Sequence, residues 1–146
     1  MIKELYYLDL RDTILRLKYY PEDFHIVFFS YNEKDYLFFN SLIEEITNLK
    51  GVKKEKVTYY KNNNVKLKNF YTKEISGCEL IGARANIVIA SDKYNLETFN
   101  ELICPLANIS PCQTVFSYNT IENLKEYHKC YEECRRTSDE RFNYIG

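Results

Sequence analysis

The sequence predicts an α/β fold, a three-layer sandwich in which a mostly parallel sheet lies between helices and carries an antiparallel hairpin at its edge. Three observations carry that prediction. Ile87-Val-Ile-Ala90 is an unbroken apolar run without polar alternation, the pattern of a strand covered on both faces. His25-Ile-Val-Phe-Phe-Ser30 is a second run of the same kind. Segments with apolar residues at helical spacing alternate with these runs, as crossover connections in a parallel sheet do.

Each element has its own reason. Residues 2–19 place Leu5, Leu8, Ile14, Leu15 and Leu17 among charged side chains, which predicts an amphipathic helix stopped at Pro21. The strand ending at Ser30 is followed by a loop to Asp35. Residues 33–49 return Leu37, Phe38, Leu42, Ile43, Ile46 and Leu49 at helical spacing, giving a second helix that closes before Gly51. Residues 56–60 and 65–70 alternate around the turn Lys61-Asn-Asn-Asn64, a hairpin whose asparagines tolerate left-handed geometry. A loop over residues 71–84 feeds the central strand, which ends at the polar pair Ser91 and Asp92, where ligands sit on open parallel sheets. Leu96, Phe99, Leu102 and Ile103 predict a helix that stops near Pro105, residues 113–117 a third strand, and residues 119–136 a last helix capped by Thr120.

The chain of 146 residues is read as one domain, 1–146, large enough for one core. Its 45% hydrophobic and 28% charged residues exclude a disordered chain, and a net charge of -1 excludes an overall basic field for nucleic acid. Any DNA contact must therefore be local. Lys53, Lys54, Lys56, Lys61, Lys66, Lys68 and Lys73 form the one local basic concentration. A solvated edge charged against aggregation is the simpler account of them, and a phosphate-backbone contact the functional one. No apolar run approaches a membrane span of roughly 18 residues, and the mixed charge of Met1-Ile-Lys-Glu is unlike a signal peptide. Five cysteines without framework spacing fit reduced thiols, so a cytoplasmic setting, bacterial or host-cell, is expected.

Three segments carry a family resemblance. Ser76-Gly-Cys-Glu-Leu-Ile-Gly-Ala-Arg-Ala-Asn86 resembles a loop with a Gly-x-Arg-Ala segment before a Walker B strand. Asn100-Glu-Leu-Ile-Cys-Pro105 resembles the helix and proline that follow it, and Thr114-Val-Phe-Ser-Tyr-Asn-Thr120 a coupling-motif strand. With the element order, these are similar to the ATPase domain of large terminases, the DNA-packaging motors of tailed phages and related viruses. The resemblance implies a P-loop NTPase-like core, with Ser91 and Asp92 at a degenerate Walker B and Ser117, Tyr118 and Asn119 at the coupling motif. A slipped register would put Asp92 at the metal position and Lys93 at the glutamate's. ATP hydrolysis needs a glycine-rich loop with a lysine, and glycines only at 51, 77, 82 and 146 do not supply one. The resemblance therefore implies a non-catalytic protein with no cofactor and no metal. It would act through a protein partner, an intact packaging ATPase or capsid component, and through DNA contacts at Arg84 and the lysines Lys61, Lys66 and Lys68. The plainer roles are a salt bridge for Arg84 and a helix cap for Asp92.

His25-Ile-Val-Phe-Phe-Ser-Tyr-Asn-Glu-Lys-Asp35 also resembles the opening strand and loop of TIR domains. In that alternative Ile89-Ala-Ser-Asp-Lys-Tyr94 is the later strand and loop, and Glu97 or Glu101 the NAD-cleaving glutamate. Cys104, Cys112, Cys130 and Cys134 would have to converge to form a four-thiolate zinc site; ordinary reduced thiols are the simpler expectation. His128, two residues from Cys130, lies on another side of the helix.

Overall fold

The structure, a computed structural model, describes residues 2–75 and 84–145. One seven-stranded sheet has the order β1-β7-β6-β2-β5-β4-β3. Its strands are β1 (Ile2–Glu4), β2 (Phe24–Ser30), β3 (Val52–Lys54), β4 (Val57–Asn62), β5 (Val65–Tyr71), β6 (Ile87–Ser91) and β7 (Thr114–Tyr118). The five strands from β1 to β5 along that order are parallel, and β4 and β3 extend the sheet antiparallel. The α/β class and the hairpin are thus as the sequence predicts. The chain leaves β2 towards β5 and leaves β6 towards β7, so the connection direction switches between these two adjacent central strands.

Two apolar layers sandwich the sheet. On one face Phe24, Ile26, Phe28, Leu67, Ile87 and Ile89 meet α1 (Tyr7–Tyr19), α2 (Glu33–Thr47) and the start of α4 (Ile121–Ile145) through Leu10, Ile14, Phe39, Ile43 and Leu124. On the other, Val27, Phe29, Val88, Ala90 and Val115 meet Phe99, Ile103 and Leu106. Burial of each such valine, leucine, isoleucine or phenylalanine contributes about 1.5–3 kcal/mol. That second layer covers the β2, β6 and β7 region, and Tyr59, Lys61 and Lys66 on β4 and β5 are exposed.

Four expectations are corrected in detail. The N-terminal residues 2–4 are not helical: β1 pairs in parallel with β7, Ile2 opposite Val115, and the Leu5 N–H donates to Ser117 O at 2.8 Å. The helix starts only after Tyr6, whose N–H donates to the Asp9 carboxylate (3.1 Å) as in a capping box. The hairpin is not itself the edge, because β5 lies inside the sheet beside β2 and β3 adds the outer strand. The helix expected after Asp92 is α3 (Leu96–Thr98) continuing as a π-helical turn Phe99–Ile103 and a 3-10 turn Cys104–Leu106, and Asn95 rather than Asp92 caps it, accepting from Thr98 N–H at 2.7 Å. Finally, α4 runs past residue 136 to Ile145. The end of α2 falls before Gly51 as expected, and Asn48 at φ 59° supplies its left-handed cap.

Candidate functional site

Ser91, Asp92, Ser117, Tyr118 and Asn119, the residues singled out by the terminase resemblance, lie at or just beyond the C-terminal ends of the parallel strands β6 and β7. The register sets Ser91 of β6 directly beside Tyr118 of β7, and Ala90 beside Ser117, so these residues of the two strands are neighbours. Along each strand, side chains alternate faces. Ser91 follows Ile87 and Ile89, and Tyr118 follows Phe116, towards the layer that holds α2. Ser91 is wholly buried and its Oγ accepts from Lys93 N–H at 3.2 Å. The Tyr118 hydroxyl donates to Asp35 Oδ2 at 2.9 Å, in the first turn of α2. Burial, then the Asp35 carboxyl beside it, raises the Tyr118 pKa well above its ordinary value, so the phenol stays neutral. Asp92 is exposed and engages the ladder only through its N–H to Tyr118 O (2.9 Å), and Asn119 is exposed beyond it.

Further along this edge the same layer is polar and closed. Ser30 Oγ donates to Asn69 Oδ1 (2.8 Å); Asn69 Nδ2 donates to Tyr36 O (3.2 Å) and Asn40 Oδ1 (3.0 Å); Asn40 Nδ2 donates to Thr58 Oγ1 (3.0 Å), which also bonds the Tyr36 hydroxyl. Among the described residues no buried side-chain nitrogen or oxygen lacks a partner. A fully satisfied network fixes the seat of α2 on the sheet and leaves no donor turned outward for a ligand. On the opposite side of the strand ends, Tyr31 and Tyr94 meet edge to face at 5.3 Å, and Lys93 lies 6.0 Å from the Tyr31 ring centroid. That small aromatic corner sits at the connection switch between β2 and β6. Glu97 and Glu101 are both exposed on the segment that follows.

The lysines assemble on a different surface. Cross-strand register puts Val52, Tyr59 and Lys68 in one row, and Lys61, Lys66 and His25 in the next. All project from the face opposite Tyr60, Val65 and Leu67, which are buried against α1 and α2. Lys54 shares that face through its pairing with Val57. No aspartate or glutamate occurs in β3, β4 or β5. Lys61 and Lys66 stand directly opposite each other, a like-charge pair that costs stability in an antiparallel ladder. The Lys68 ammonium lies 5.9 Å from the Tyr59 ring centroid, and Tyr59 is itself exposed.

Arg84 is not in this group. It is exposed at the N-terminal end of β6 and its Nε donates to Asn108 Oδ1 at 2.9 Å, an amide contact rather than the salt bridge first expected. Most of the Gly-x-Arg-Ala loop, residues 76–83 with Cys78, lies outside the described residues. Cys104, Cys112, Cys130 and Cys134 are free thiols that do not gather; among the described residues the one metal-ligating group of three or more is Glu45, His128 and Glu132. Sequence reasoning missed that group, although the spacing of His128 and Glu132 by one helical turn was readable. It also missed Asn86, whose Oδ1 accepts from His25 N–H (2.9 Å) while its Nδ2 donates to Ile109 O and Pro111 O (3.0 Å each), tying β2, β6 and the loop before β7 together.

Compared with known proteins, the chain matches no family model, no curated protein and no solved structure. Among the described residues no helix is long and apolar enough to cross a membrane.

Proposed function

We propose that this is a non-catalytic, terminase-ATPase-like protein of a phage or virus that contacts DNA through the lysine face of β3, β4 and β5. The observation that carries this reading is the opposed pair Lys61 and Lys66, flanked by Lys54, Lys68 and Tyr59 on an exposed sheet face without an acidic residue in its strands. Placing two like charges opposite each other costs stability, and a phosphate between them offsets that cost. Lysines neutralise backbone phosphates and an exposed tyrosine offers a stacking surface for a base. The link to DNA packaging, and a protein partner that is an intact packaging ATPase or a capsid component, rest on the resemblance of residues 76–86, 100–105 and 114–120 to large terminases. The absence of a glycine-rich lysine loop from the sequence, and the burial of Ser91, support the non-catalytic part. The test is fluorescence anisotropy of a labelled DNA oligonucleotide at stepped salt. Binding that weakens with salt and is lost in Lys61→Glu/Lys66→Glu supports the reading. Affinity unchanged by that double variant sinks it.

A TIR-like reading is favoured by one specific relationship, the adjacency of β2 and β6 with the connection switch between them. Open α/β sheets bind ligands in the crevice at such a point. In this reading a nicotinamide dinucleotide lies over Tyr31, Asn32 and Lys93, with Glu97 or Glu101 as the glutamate that cleaves it. Loss of NAD on incubation with the purified protein, abolished in Glu101→Gln or Glu97→Gln, would establish it. Intact NAD after prolonged incubation would remove it.

A further inference from the structure

The helical layer behind α1 holds a cluster that the DNA-contact reading does not use. Glu45 on α2 and His128 and Glu132 on α4 each offer one ligand atom, and the three atoms lie within 4.8 Å of one another. His128 Nε2 is 3.1 Å from Glu45 Oε1, close to the spacing of about 3.4 Å between two ligand atoms on one tetrahedral zinc ion. His128 and Glu132 are one helical turn apart and therefore project from the same side of α4.

The imidazole is held from behind. Its Nδ1 lies 2.7 Å from the Tyr7 hydroxyl, which in turn accepts from Arg11 Nη1 at 3.3 Å. A neutral imidazole that donates Nδ1–H to the Tyr7 oxygen turns its Nε2 lone pair towards the carboxylates, the outer-shell arrangement of a metal-binding histidine. The Glu45 and Glu132 side chains are 56% and 39% exposed, so both have room to close by the ångström or so that coordination asks. Arg11 approaches Glu132 only to 3.9 Å and does not hold it away.

We propose that Glu45, His128 and Glu132 bind one divalent first-row transition ion of the zinc class. Two carboxylates and one neutral imidazole cancel the charge of the ion, so the nearby lysines face no net repulsion once it is seated. The three residues line a surface cavity of about 670 Å³ shared with Lys125, Lys129 and Arg136. The fourth coordination position opens into that cavity, where the cationic rim favours water or an oxyanion as the remaining ligand. The ion ties α2 to α4, two helices of the same layer.

Zinc chloride alone, titrated calorimetrically into tag-free, chelator-treated full-length protein, is the test, with cobalt(II) absorption in parallel. Expected are one equivalent bound and visible ligand-field bands without a near-ultraviolet sulfur charge-transfer band. Glu132→Gln and His128→Gln should each weaken binding at least about tenfold, Tyr7→Phe about tenfold, and Cys130→Ser/Cys134→Ser not at all. Circular dichroism accompanies each variant; should His128→Gln unfold, Glu132→Gln at the surface decides. No binding by the wild type, unchanged affinity in Glu132→Gln, or a sulfur charge-transfer band removed by the cysteine variant would each overturn the proposal.

Discussion

The hydroxyl of Tyr118, at the end of β7, donates a hydrogen bond of 2.9 Å to Oδ2 of Asp35, 83 residues earlier in the first turn of α2. Both side chains are buried, Tyr118 to 3% and Asp35 to 6% exposure. The carboxyl also sits near the positive end of the α2 dipole, capped by Asn32, whose Oδ1 accepts from Asp35 N–H. One bond therefore sets the helix against the strand ends, and it uses a residue that the motif resemblance had assigned to coupling.

Tyr118→Phe should cost about 1–3 kcal/mol, because the ring still packs against Phe39 while Asp35 loses its buried donor. Urea denaturation at neutral pH measures the loss. A cost under a few tenths of a kcal/mol would mean that the bond contributes little.

Alkaline pH should destabilise the fold through the same residue. The Tyr118 and Tyr60 pKa values are both raised by burial first, and by the carboxyl groups of Asp35 and Glu44 next. Below the unfolded tyrosine pKa of 10.0 both states carry the proton and this stabilisation is fully present. Above it the unfolded chain ionises while the folded phenols do not, so stability falls as pH rises towards the folded values. The limiting slope is about 1.4 kcal/mol per pH unit for each group. Thermal unfolding from about pH 9 to pH 11 should fall less steeply in Tyr118→Phe than in the wild type; parallel curves would rule out Tyr118 as a source.

Asn69→Leu should be costlier than its volume suggests. It leaves Ser30 Oγ and Asn40 Oδ1 without their Asn69 partner under α2, and each stranded group costs about 1–3 kcal/mol. A loss of about 3 kcal/mol or more in urea is expected, and a near-neutral variant would contradict a network that seats the helix.

Gly51→Ala tests a close approach. A Cβ there would lie 2.5 Å from Thr58 Cγ2 and 2.8 Å from the Tyr60 ring. Tyr60 is 1% exposed and its hydroxyl donates to Glu44 Oε2 at 3.0 Å, so the ring has nowhere to go. Destabilisation of about 1–3 kcal/mol follows from such overpacking, read as a lower melting temperature.

If the lysine face holds DNA, the logarithm of the binding constant should fall against the logarithm of salt with a slope of about -3 for three to four phosphate contacts. Lys66→Gln should reduce that slope by about one, whereas Tyr59→Ala should weaken binding to single strands with the slope kept. A slope near zero would remove the electrostatic basis of the proposal.

The sequence by itself determined the class of the fold, the two central strands and α2. Apolar runs such as 25–30 and 87–90, and the helical spacing of Leu42, Ile43 and Ile46, report local burial directly. It could not decide residues 2–4, where three residues become a strand only because β7 lies beside them. Nor could it tell that Ser91 would turn under α2 while Lys61, Lys66 and Lys68 came to share one exposed face, since a face is defined by what packs on the other side. The meeting of Glu45 with His128, 83 residues apart, was likewise decided by the tertiary structure alone. Local pattern carries the period of a segment, but side chains from distant segments are brought together only by the packing of the layers that bear them.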